Sequence, residues 1–173
     1  MKNITLIIAA ILLFTSNSFA ATHYVSPSGS ATWANSTTIA TPCSLSTANA
    51  NAKAGDIVYL RAGTYNTQIA PANSGSAGAV ITYSRVATEA KPNITPASGT
   101  AGANLAYRSY IKLDGIVFTT SGPTYGASLM QDSHYNEITN CEFYGAPHTT
   151  MPIGSLSPSN HNWIHHNIFT AGT

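Results

Sequence analysis

The last third of the chain repeats itself at a period too long for hairpins. Aligned on phenylalanine, Tyr110–Phe118 (YIKLDGIVF), Tyr135–Phe143 (YNEITNCEF) and His161–Phe169 (HNWIHHNIF) place their phenylalanines 25 and 26 residues apart. Each segment is a short alternating stretch, a polar two-residue break and a second alternating stretch, the pattern of strand, bend and strand. An antiparallel sandwich would turn back every 8 to 12 residues or so. The longer return fits one coil of a parallel solenoid.

Taking alternate positions as inward gives four columns: Ile111/Asn136/Asn162, Leu113/Ile138/Ile164, Ile116/Cys141/Asn167 and Phe118/Phe143/Phe169. In parallel register, like side chains lie about 4.8 Å apart, so aliphatic and phenyl groups stack and asparagines bond to one another as ladders. The outward column Lys112/Glu137/Trp163 sets opposite charges on adjacent coils, a pairing that contributes roughly 0.2–1 kcal/mol. Asn140 and Asn167 fall at bends, where asparagine tolerates left-handed geometry.

Upstream, Ser44 is a fitting N-cap for a short helix that ends near Ala54, before Gly55. Strands are expected over 56–61 and 79–84, with a turn at 63–66 between them. Small-residue loops are expected at 71–78 and 96–102. A solenoid end exposes open strand edges and apolar core, so the helix is the expected lid.

The first twenty residues read as a secretory signal. Lys2 precedes the apolar run Leu6–Phe14, and small residues lead to a cleavage point after Ala20. That run is well short of the ~20 residues that span a bilayer, so no membrane association is expected once the signal is removed. Seven Lys and Arg against six Asp and Glu leave no basic excess for a phosphate backbone, which argues against a nucleic-acid partner. Only 8% of residues are charged. Solubility therefore rests on Thr, Ser and Asn, residues that suit strands and turns and disfavour long helices. Asn35 and Asn93 begin N-glycosylation patterns, relevant only in a eukaryotic secretory path. Two cysteines are too few for a disulfide scaffold. Cys43 and Cys141 fall about 10 Å of stacking apart, too far for a bridge, and Cys141 reads as a buried thiol.

The opening His23–Gly29 (HYVSPSG), the block Ala54–Tyr65 (AGDIVYLRAGTY), the strand Ala79–Tyr83 (AVITY) and the repeats together resemble secreted right-handed parallel β-helix proteins, with polysaccharide lyases of the pectate, alginate and chondroitin type as the nearest relatives. The resemblance runs through nearly all of 22–173 and is specific for the scaffold, not the reaction. In such lyases a Lys or Arg takes the C5 proton of a uronate, and carboxylate-bound calcium neutralises the sugar's acid group. The resemblance thus implies calcium in a full-length protein. It assigns no catalytic residue here, because the last basic side chain is Lys112 and only Asp114, Asp132, Glu137 and Glu142 follow as acids.

The expected organisation is a signal peptide at 1–20, an N-terminal cap and first coil at 21–78, and parallel β-helix coils at 79–173, incomplete at the C-terminus because no polar closing element follows Phe169. His161, His165 and His166 are not expected to hold a metal ion, since residues four apart on a strand are separated by about 13 Å. Trp163, directed outward with His161 and His165 around it, is the expected sugar platform, unless the 151–154 loop covers it. The function expected of the full-length protein is secreted, monomeric cleavage of acidic polysaccharide by β-elimination, with no cofactor in this chain. The rival is a non-catalytic carbohydrate-binding or adhesion solenoid.

Overall fold

A computed structural model describes residues 20–121, 127–128, 132–145 and 159–170. The expected signal segment through residue 19 and the expected 151–154 loop lie outside the described residues. Six strands form the first sheet in the order β1 (Thr22–Val25), β2 (Ile57–Leu60), β4 (Ile81–Arg85), β7 (Ile111–Asp114), β10 (Glu137–Thr139) and β12 (Trp163–His165). The second sheet runs β3 (Thr64–Tyr65), β5 (Asn93–Ile94), β8 (Val117–Thr119), β11 (Glu142–Tyr144) and β13 (Ile168–Thr170). A third pairs β6 (Ala103–Asn104) with β9 (Ala127–Ser128). Every pairing between these strands is parallel, so the chain winds as a β-solenoid.

The register reproduces the expected columns. Leu113 pairs with Ile138 and Ile138 with Ile164, and upstream the same interior column continues through Tyr83, Val58 and His23. In the second sheet Tyr65, Ile94, Phe118, Phe143 and Phe169 lie in line. The phenyl rings stack with centroids 5.1 and 5.0 Å apart. These columns carry the core, with Val58, Tyr83, Ile94, Leu113, Phe118 and Ile138 fully buried.

The inward asparagines bond as a ladder. Asn136 Oδ1 accepts from the Ile111 amide (2.9 Å), while its Nδ2 donates to Asn162 Oδ1 (3.1 Å) and to the Arg108 carbonyl (2.9 Å). Asn167 does the same two columns along, accepting from the Cys141 amide and donating to the Ile138 carbonyl, both at 2.9 Å. It therefore sits inward, and its left-handed bend role falls to its neighbour: Gly115, Asn140 and His166 have φ of 71, 55 and 55°. A second left-handed row, Tyr110, Tyr135 and His161 (φ 58, 54 and 56°), stacks its rings 4.9 and 4.7 Å apart. That ring contact offsets part of the steric cost of placing side chains with a Cβ at such bends.

The cap differs in detail from the expectation. Its helix, α1 (Leu45–Asn51), is N-capped by Ser44, whose hydroxyl accepts from the Thr47 amide at 3.1 Å, and it buries Leu45 and Ala48. It stops at Asn51 rather than near Ala54 because Ala52 turns extended and the Asp56 carboxylate accepts from the Lys53 and Ala21 amides (2.8 and 3.2 Å). Those bonds close the turn into β2. The outer edge of β1 is covered by irregular chain, with Tyr24 N–H donating to the Ser36 carbonyl and the Cys43 N–H to the Tyr24 carbonyl. Tyr65 ties this cap to the coils, its hydroxyl donating to the Arg61 carbonyl (2.8 Å) within 3.1 Å of the Val25 carbonyl. At Gly63 (φ 137°) a Cβ would meet Pro27 Cγ at 2.7 Å, so glycine is required where the Tyr65 turn crosses the cap.

Candidate functional site

Side chains on the outward face of the first sheet also stand in line, because parallel pairing repeats one direction from coil to coil. One row runs Thr22, Ile57, Thr82, Lys112, Glu137, Trp163 and the other Tyr24, Tyr59, Ser84, Asp114, Thr139, His165. Glu137 is the hinge of the charged part: its Oε1 lies 3.0 Å from Lys112 Nζ and 3.2 Å from His165 Nε2. A surface ion pair such as Lys112–Glu137 contributes little to stability, about 0–1 kcal/mol, but with the His165 contact it holds the Glu137 carboxylate in place.

Trp163 points outward as expected and is 63% exposed. Its ring lies over His165, centroids 4.0 Å apart, and that contact holds the indole in place. His161 does not flank it on the strand. Its positive φ at the bend turns the imidazole onto the neighbouring corner, where it continues the Tyr110–Tyr135 stack and its Nδ1 lies 2.6 Å from Asn160 Oδ1. Of the three expected contact residues the structure brings Trp163 and His165 together and sets His161 apart.

A groove that sequence reasoning missed lies earlier along the same face, between β2 and β10. It has a volume of about 570 Å³ and is lined by Tyr59, Ser84, Arg85, Ala87, Lys91, Asp114 and Asn140. Its wall is chain segment 86–92, which connects β4 to β5; the corresponding connections later in the chain are only 115–116 and 140–141. Lys91 donates to Glu142 Oε1 and to the Asn140 carbonyl, both at 2.8 Å, and with the Tyr144 hydroxyl it holds the Glu142 carboxyl below the usual carboxylate range. Asp114 accepts from Asn140 Nδ2 at 2.9 Å. The Arg85 guanidinium has no hydrogen-bond or ion-pair partner among the described residues. Its stem packs over Gly115 (φ 71°), where a Cβ would meet Arg85 Cδ at 2.9 Å.

Among the described residues no group of three or more His, Cys, Asp or Glu side chains converges on one point. Cys43 and Cys141 are buried free thiols, and burial pushes the Cys141 thiol up to about 11. No described helix is long and apolar enough to cross a membrane.

A rhamnogalacturonan lyase of known structure has a similar fold, with a TM-score of 0.60 at 19% identity over 74% of this chain. The chain spans 37% of that enzyme's length. No curated protein matches the sequence. Residues 23–170 match the family described as "Pel9A-like, right handed beta helix region". That segment begins in β1 and ends with β13, so it contains both sheets and the whole phenylalanine column. With parallel coils throughout and a match over this length, the chain belongs to the Pel9A-like right-handed β-helix family.

Proposed function

We propose that these coils are part of an exported protein that cleaves acidic polysaccharide by β-elimination at a uronate, and that Trp163 and His165 contact the sugar, with His161 at the adjoining corner. The observation that carries this reading is the family match over 23–170 on a fold whose first sheet presents an exposed indole beside hydrogen-bonding groups. The likeness to a rhamnogalacturonan lyase supports polysaccharide as the substrate class. Export is supported by Lys2, the Leu6–Phe14 run and the small residues before Ala20.

The division of labour follows from the side chains present. Elimination removes the proton beside the uronate carboxyl group and expels the glycosidic oxygen at the next carbon, so it needs a base and stabilisation of the developing charge. Beside Trp163, Lys112 already holds Glu137, so this end of the face binds and orients the chain of sugars rather than transferring a proton. The full-length protein is incubated with pectic, alginate and chondroitin-type substrates, with and without a chelator, while ultraviolet absorbance of the unsaturated uronide is followed. Growth of that absorbance on at least one substrate is expected. Saturable binding with no absorbance on any of them would overturn the lyase reading in favour of a carbohydrate-binding solenoid.

A further inference from the structure

We infer that Arg85 is the anchor of a second carbohydrate subsite, in the groove walled by segment 86–92, and that its ligand is the carboxylate of a uronate ring. The charges around the groove point to it. Arg61 and Lys112 hold Glu89 and Glu137 at 3.0 Å, Lys91 holds Glu142 at 2.8 Å, and Arg108 caps the Pro71 and Tyr107 carbonyls. The Asp56 carboxylate is taken by backbone amides and Asp114 by Asn140. Arg85 alone of the groove's cations is left without a counter-charge among the described residues, on a stem seated against Gly115.

A seated guanidinium is a pre-organised fork. It binds a carboxylate through two parallel N–H···O bonds, and much of the entropy of ordering the side chain has already been lost on folding. The surroundings suit a sugar. Tyr59 lines the groove while its ring stacks on Tyr24 (5.7 Å), which keeps the phenol upright as a wall for a pyranose. Asp114 and Ser84 supply an acceptor and a hydroxyl for ring hydroxyls. The volume falls in the ~300–1,000 Å³ range of ligand sites, and the groove lies on the same sheet face as Trp163, so one extended polymer can reach both.

The inference rests on the acidic-polysaccharide reading above, and its test separates the two. The full chain is titrated calorimetrically with an oligogalacturonate and with its methyl ester, which removes the carboxylate charge. The wild type is expected to bind the acid at least tenfold more tightly. Arg85→Met, which keeps the stem over Gly115, is expected to lose that preference while still binding the ester; Arg85→Lys is expected to restore part of it. A folded Arg85→Met protein that keeps the full preference, or a wild type that binds neither ligand or shows no preference, overturns the inference. Should elimination be observed in the absorbance assay while Arg85→Met changes nothing, the subsite fails and the lyase reading stands. A preference that depends on Arg85, with no elimination on any substrate, keeps the subsite and overturns the lyase reading.

Discussion

At the scale of single residues, two buried polar groups carry the most information about stability. Tyr83 is fully buried in the first sheet's interior column, and its hydroxyl finds no hydrogen-bond partner among the described residues. An unpaired buried donor costs about 1–3 kcal/mol, so Tyr83→Phe is expected to leave stability unchanged or raise it by about 1 kcal/mol in denaturant melts. A loss of about 2 kcal/mol or more would mean that the hydroxyl is bonded. His23 is the opposite case. Its ring stacks on Trp33 at 3.5 Å, its Nδ1 lies 2.9 Å from Ser36 Oγ, and burial lowers its pKa despite the opposing pull of Asp56. The unfolded chain takes up a proton as pH falls through about 6.5, whereas the folded chain does so only at lower pH. Stability contributed by neutral His23 is therefore fully present above about pH 6.5 and declines as pH falls from there to the folded pKa. His23→Phe, which keeps the stack, is expected to flatten the pH dependence of the unfolding free energy over that window; an unaltered slope would assign it to other groups.

At the scale of elements, the last three coils are held to one another by hydrophobic columns and an amide ladder, and the ladder is the more directional of the two. Asn136 makes bonds to both neighbouring coils, whereas Asn162 bonds to the preceding coil alone among the described residues. Asn136→Ala is expected to lower the unfolding free energy by about 1–3 kcal/mol and Asn162→Ala by less, measured by chemical denaturation. No loss in either variant would show that the ladder does not hold one coil to the next. The columns are legible in the sequence because three successive coils use the same residue types at the same offsets, as Phe118, Phe143 and Phe169 do. Earlier coils share the geometry without the residues: His23, Val58 and Tyr83 occupy one column with no common chemistry. That is why segment 86–92, and with it the Arg85 groove, leaves no periodic trace. His161 is displaced for a related reason. A left-handed bend residue leaves the alternation that strand counting assumes, so its ring lands on Tyr135 instead of beside Trp163.

At the scale of the whole molecule, stacking coils turn a short repeat into a long flat face. The interior rows supply the core, and the matching exterior rows supply a surface on which one polymer can meet the same backbone direction again and again. Charges on that face are mostly satisfied in pairs, as at Lys112–Glu137, so what is offered to a ligand is one exposed indole near β12 and one free guanidinium near β4. The central claim is that this face binds acidic polysaccharide. Its most direct test is the tryptophan emission of the wild type and of Trp163→Phe, titrated with oligogalacturonate. Trp33, stacked on His23 in the cap, serves as the constant background. A saturable emission change in the wild type that disappears in Trp163→Phe is the predicted result; an emission change of the same size in both proteins, or none in either, would contradict it.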